Sequence, residues 1–185
     1  MEKTNLSTLL KVTFVKSLVS GLDASTSQYV GRGEIMATHL TKSFTLEELT
    51  YSDTAKKFGI NNKPTQQVIN NLKILCENVL QPLRDYLGKP INVTSGYRSP
   101  EVNKRVGGAV DSQGRPKSQH CFGMAADIQV KGKTPRQVCD TIDKLVKEGK
   151  IKTYDQLIEE FGATGWCHVS FNISQNRKMR FKIGC

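Results

Sequence analysis

Residues 118–130 read SQHCFGMAADIQV and place His120, Cys121 and Asp127 in one short run of small and apolar residues. The second half, AADIQV, has the pattern of a strand, whose successive side chains face opposite sides. Ala126, Ile128 and Val130 then share one face, and Asp127 and Gln129 the other. Downstream, GWCHVSF at 165–171 divides in the same way. Cys167, Val169 and Phe171 take one face, and Trp166, His168 and Ser170 the other. If the two strands pair, Asp127 and His168 converge. Gly123 lets the intervening chain fold back so that His120 reaches the same face. Two imidazoles and a carboxylate suit a catalytic zinc that keeps one coordination position open. Taken alone, the same residues are equally compatible with a loop histidine and a hydrogen-bonded sheet histidine.

Working outward, the pattern predicts an α+β fold, a small antiparallel sheet flanked by helices. Thr45 followed by Glu48 in FTLEEL makes a capping-box signature for a short helix. After Pro64, Val68, Leu72, Leu75, Cys76, Val79 and Leu83 fall on one helical face, and Gly88 and Pro90 end that helix. INVTSGYRSP reads as a strand entering a loop, and residues 101–119 as irregular because glycines and Pro116 interrupt them. Thr134 and Pro135 open another helix. YDQLIEEF is ambiguous, and KMRFKI alternates as a last strand. Residues 23–43, rich in Ser, Thr and Gly, read as a connecting segment. The division is thus residues 1–43 as an N-terminal accessory segment and linker, and 44–185 as the domain proper.

The 185 residues, 37% hydrophobic and 24% charged, have the balance of one globular domain. The cysteines number five, an odd count, and lie scattered through helices and strands, which favours reduced thiols and synthesis in the cytosol. Lys11 and Lys16 interrupt the apolar runs near the start, so neither a signal peptide nor a membrane span is expected. Leu6, Leu10, Phe14, Leu18 and Leu22 are spaced as an amphipathic helix, although LKVTFV alternates like a strand. The net charge of +10 favours polyanionic partners. No Arg/Lys block with interleaved aromatics accompanies it, so nucleic acid is not expected to be among them.

Three blocks in order, SGYRSP, SQHCFGMAADI and WCHVSF, resemble the zinc D-alanyl-D-alanine carboxypeptidases. That family includes D,D-dipeptidases and the L-alanyl-D-glutamate endopeptidases of phage lysins, on a fold shared with the hedgehog signalling domain. The likeness spans about residues 45–172 and is nearest to phage and prophage members. It implies a zinc peptidase of peptidoglycan stem peptides or cross-links, with His120, Asp127 and His168 as the Zn2+ ligands. Arg98 would hold the scissile carbonyl and its developing negative charge. Ser118 and Tyr97 would meet the substrate. A monomer is expected, made without a signal peptide and acting at the bacterial cell wall after release.

One position departs from the family. Many members carry Glu or Asp three residues before the last histidine ligand, where this chain has Gly165. Glu160 is the nominee for the missing general base, with Glu159 beside it and His39 as an option if the N-terminal segment covers the site. The competing account is a zinc-fold module that binds peptidoglycan without turnover. Cys121 and Cys167 adjoin ligands, but parity sends Cys167 to the opposite face, and thiol ligation is not expected. On the last strand, Lys178, Arg180 and Lys182 form either a cationic face for an anionic wall polymer or an edge that discourages strand addition. NVT at 92–94 matches a glycosylation pattern but lies in a strand of a cytosolic product.

Overall fold

A computed structural model describes residues 37–184. A hairpin of β1 (His39–Thr41) and β2 (Phe44–Thr45) leads into α1 (Leu46–Thr50) and α2 (Asp53–Phe58). Next come α3 (Gln66–Leu75), a π-helical turn (Cys76–Leu80), α4 (Gln81–Leu87), β3 (Ile91–Ser95) and α5 (Pro100–Arg105). A 3-10 turn (Gln119–Phe122), β4 (Ala125–Val130) and α6 (Pro135–Lys147) precede β5 (Gln156–Glu160), β6 (Trp166–Ser170) and β7 (Met179–Ile183). The main sheet has five strands in the order β3-β4-β6-β5-β7, antiparallel except for the parallel β5–β7 pair. The expected α+β class is therefore observed.

Parity divides this sheet as the sequence predicts. Ala126, Ile128, Cys167, Val169 and Leu157 are fully buried on the face that α6 packs against. Leu72, Leu75, Val79, Leu80 and Leu83 from the α3–α4 rod complete the core. Each such leucine is worth about 1.5–3 kcal/mol of burial. The rod is interrupted where Pro82 lacks an N–H and crowds the carbonyl four residues back. The chain answers with a wider turn, in which the Gln81 N–H donates to the Cys76 carbonyl five residues earlier.

Several local expectations change. Residues 39–43 do not act as linker: Leu40 and Phe44 enter the core, and the Thr41 hydroxyl bonds Gln81 Oε1 at 2.8 Å. The folded body therefore reaches back at least to His39. Thr45 caps α1 by accepting from the Glu48 N–H at 3.2 Å, but the carboxylate reaching back is that of Glu47, which accepts from the Thr38 N–H. Within 101–119 a short helix, α5, forms because Ser99 caps it and Pro100 takes its first position. QLIEE is a strand. The cationic row of β7 is turned to its own chain, with Arg180 bonded to Asp140 and Asp143 of α6 and Lys182 3.6 Å from Glu159. Among the described residues no helix is long and apolar enough to cross a membrane. The amphipathic spacing at residues 6–22 lies outside the described residues.

Candidate metal centre

On the other face of the sheet, Asp127 of β4 sits directly opposite His168 of β6. The 3-10 turn delivers His120, and Gly123 reverses the chain into β4 at φ 68°. A Cβ at Gly123 would lie 2.6 Å from the Val68 carbonyl oxygen, so the turn packs on α3 only as glycine. Buried Asn71 of α3 fixes that turn, donating to the Phe122 carbonyl at 2.8 Å. All three candidate ligands are buried.

Their facing atoms form a close triangle. His168 Nδ1 is 2.9 Å from Asp127 Oδ1, His120 Nε2 is 3.3 Å from the same oxygen, and the two nitrogens are 3.2 Å apart. Tetrahedral zinc with bonds of about 2.0–2.1 Å would place its ligand atoms about 3.3 Å apart. The Nδ1–H of His120 donates to the Gly96 carbonyl at 2.7 Å, which leaves Nε2 as a lone pair aimed into the triangle. Burial lowers the pKa of His120, against the pull of Asp127. Burial also works to raise Asp127, but the charge and hydrogen bonds of His120 and His168 outweigh it and hold the carboxyl well below its ordinary range. His120 Nε2 and Asp127 Oδ1 are then two acceptors facing each other at 3.3 Å, with His168 Nδ1 at the third corner. Such a donor set fits a cation.

Arg98 closes the outer side. Its Nη2 donates to Asp127 Oδ2 at 2.5 Å and its Nε to the Ser95 hydroxyl at 2.8 Å. The loop carrying it is anchored by the Tyr97 N–H, which donates to the Leu49 carbonyl at 2.7 Å. A Cβ at Gly96 would fall 2.1 Å from that same oxygen. Tyr97, expected to meet substrate, is instead a core residue at 6% exposure, because its side chain turns inward where the loop docks on α1. Ser118 precedes the 3-10 turn, half-buried, and its side chain caps nothing.

Register sets the two candidate bases on opposite faces of β5. Glu160 pairs with Trp166 and Ile158 with His168, so Glu160 shares the face of the ligands. Burial, then the charge of Asp127, raises its pKa. Glu159 lies on the opposite face, buried near Lys182. His39 is exposed on β1, whose packing partners are β2, α3 and the π-helical turn. Gly165 is required by the backbone: a Cβ there would stand 1.7 Å from the Glu160 carbonyl oxygen. Its own carbonyl accepts from Gln129 Nε2 at 2.8 Å. Cys167 faces the core, its sulfur 3.1 Å from that of Cys139, and Cys121 is buried outside the triangle.

The family model described as Peptidase M15 matches residues 42–169. The chain belongs to the M15 peptidase family. M15 peptidases are zinc-dependent, and the matched span contains every residue of the triangle. No curated protein matches this M15 chain. Sequence reasoning missed the supports of the site: the Gly96 carbonyl, the Ser95 hydroxyl and the Asn71 amide. Asn71 alone left a signal, as a polar residue inside the apolar helical stripe VINNLKIL.

Proposed function

We propose that this M15 protein is a zinc peptidase that hydrolyses an amide bond in peptidoglycan stem peptides or cross-links. The observation that carries the reading is the triangle of His120 Nε2, Asp127 Oδ1 and His168 Nδ1, closed to within 3.3 Å, in which the Nδ1–H of His120 is already given to the Gly96 carbonyl. Zinc bound there would supply Lewis acidity to the scissile carbonyl and make water acidic enough to react near neutral pH. Glu160 accepts the proton of the attacking water and returns it to the departing amine. Its support is placement, since Glu160 shares the ligand face and its backbone touches the corner where relatives carry the acid. The guanidinium of Arg98 has N–H groups beyond the two given to Ser95 and Asp127, and these meet the developing negative charge. Ser118 contacts the substrate.

The peptidoglycan assignment rests on the three-block resemblance and the net charge of +10, which suits an anionic envelope. On this reading the protein is a monomer that acts at the bacterial cell wall, as phage lysins do. The test is digestion of purified sacculi by zinc-loaded protein beside a His168→Ala control, with the fragments read by mass spectrometry. New amino termini from the unaltered protein alone support the reading and identify the bond.

Gly165 favours a second reading, a wall-binding module without turnover. Retention on sacculi with no new termini, equal for the unaltered protein and for Glu160→Gln, would select it.

A further inference from the structure

A carboxylate offers a metal two oxygens. If both bind, they fill the position that a hydrolytic zinc must keep open. Here the two oxygens of Asp127 have different neighbours. Oδ1 faces the imidazoles, 2.9 Å from His168 Nδ1 and 3.3 Å from His120 Nε2. Oδ2 is held by Arg98 Nη2 at 2.5 Å. The guanidinium is in turn fixed by its Nε–H bond to the Ser95 hydroxyl, and Ser95 is the residue opposite Asp127 on β3, just past a break in register. The Arg98 N–H also donates to the His120 carbonyl at 3.3 Å. One turn, Ser95–Arg98, thus touches two of the three candidate ligands: Gly96 sets the tautomer of His120, and Arg98 occupies the outer oxygen of Asp127.

We infer that Arg98 is a positioning residue that makes Asp127 a one-oxygen ligand and so keeps the fourth position of the metal open. This rests on the zinc reading above and adds to it a role in metal binding that precedes any contact with substrate. Arginine suits it because the planar fork spans Ser95 Oγ and Asp127 Oδ2 at once and remains protonated. The pair is 18% and 5% exposed, so losing one partner leaves the other charge poorly solvated. Lysine, whose donors sit on one freely rotating nitrogen, lacks the rigid fork that fixes Ser95 Oγ and Asp127 Oδ2 in one plane.

The test measures zinc affinity by competition with a chromophoric chelator, and the visible spectrum of the cobalt-substituted protein, for the unaltered chain, Arg98→Ala, Arg98→Lys and Ser95→Ala. Circular dichroism checks the fold of each. Arg98→Ala is expected to bind zinc about 10–100-fold more weakly, and its cobalt absorption to weaken as the second oxygen joins the metal. Arg98→Lys should lose affinity in the same direction and serves as the test if the alanine variant does not fold. Ser95→Ala should show a smaller loss. Zinc affinities for both Arg98 variants within about twofold of the unaltered chain, with an unchanged cobalt spectrum, would overturn the positioning role and leave the zinc reading standing. An unaltered chain that binds no zinc would overturn both.

Discussion

The Ser95–His120 side of the site and the Glu160–Trp166 side achieve their geometry by different means. On the first, side-chain atoms are fixed by named partners: His120 by the Gly96 carbonyl, Asp127 by Arg98, and the turn below them by Asn71. On the second, the backbone does the work. Phe161 holds φ 55°, a left-handed conformation rare for an aromatic residue, and Gly165 lies against the Glu160 carbonyl with no room for a side chain. The first side brings together three residues that could hold a metal, and the second sets one carboxylate, Glu160, on the same face of the sheet from a tight corner. The comparison teaches that the absence of an acid at position 165 reports a local backbone route, while the face that carries the acid is still occupied, by Glu160.

The largest break is on the ligand side. His168→Ala removes one corner of the triangle and should reduce both zinc content and hydrolysis to background, as measured by metal analysis and sacculus digestion. Glu160→Gln probes the other side and should leave zinc bound while lowering kcat by about 10²–10⁴-fold. Adding Gly165→Glu to that variant should restore nothing, since the new side chain meets the 160 carbonyl.

The pH profile sharpens the same contrast. Burial and the charge of Asp127 raise the Glu160 pKa, and a carboxyl works as a base only when ionised. The kcat/KM should therefore fall as pH drops through a value above the ordinary glutamate range of about 4.3, and that limb should vanish in Glu160→Gln. Gly165→Ala should cost about 1–3 kcal/mol in denaturant unfolding, because its methyl group has no space. Smallest of all, Arg180→Ala, which breaks exposed pairs to α6, should cost about 0.2–1 kcal/mol.

Much of this was legible in the sequence for one physical reason: a period of two on a strand is absolute. Asp127 and His168 could each be set on the polar face of its own strand, and they fall on one face because those strands pair; the same parity sends Cys167 into the core. Helical spacing likewise gave the Val68–Leu83 stripe, since a buried face needs recurrent apolar residues. Tyr97 and residues 39–43 were misread because burial there depends on long-range docking, of the Tyr97 loop on α1 and of Leu40 in the core. Arg98 was read for its charge, whereas its partners Ser95 and Asp127 come together only through the β3–β4 register. Glu160 was ambiguous because QLIEEF has no period strong enough to separate strand from helix, and its pairing with Trp166 decides which way it points.

The central claim is that these three ligands hold a zinc ion on which hydrolysis of peptidoglycan peptides depends. Its most direct test follows cleavage of purified muropeptides, with stem peptides of defined length, by the protein as prepared, after chelation, and after one equivalent of zinc is returned. The account predicts a single amide bond cut, loss of cleavage on chelation, and recovery with zinc in the unaltered chain but not in His168→Ala. Stoichiometric zinc binding with no bond cut in any muropeptide would contradict it.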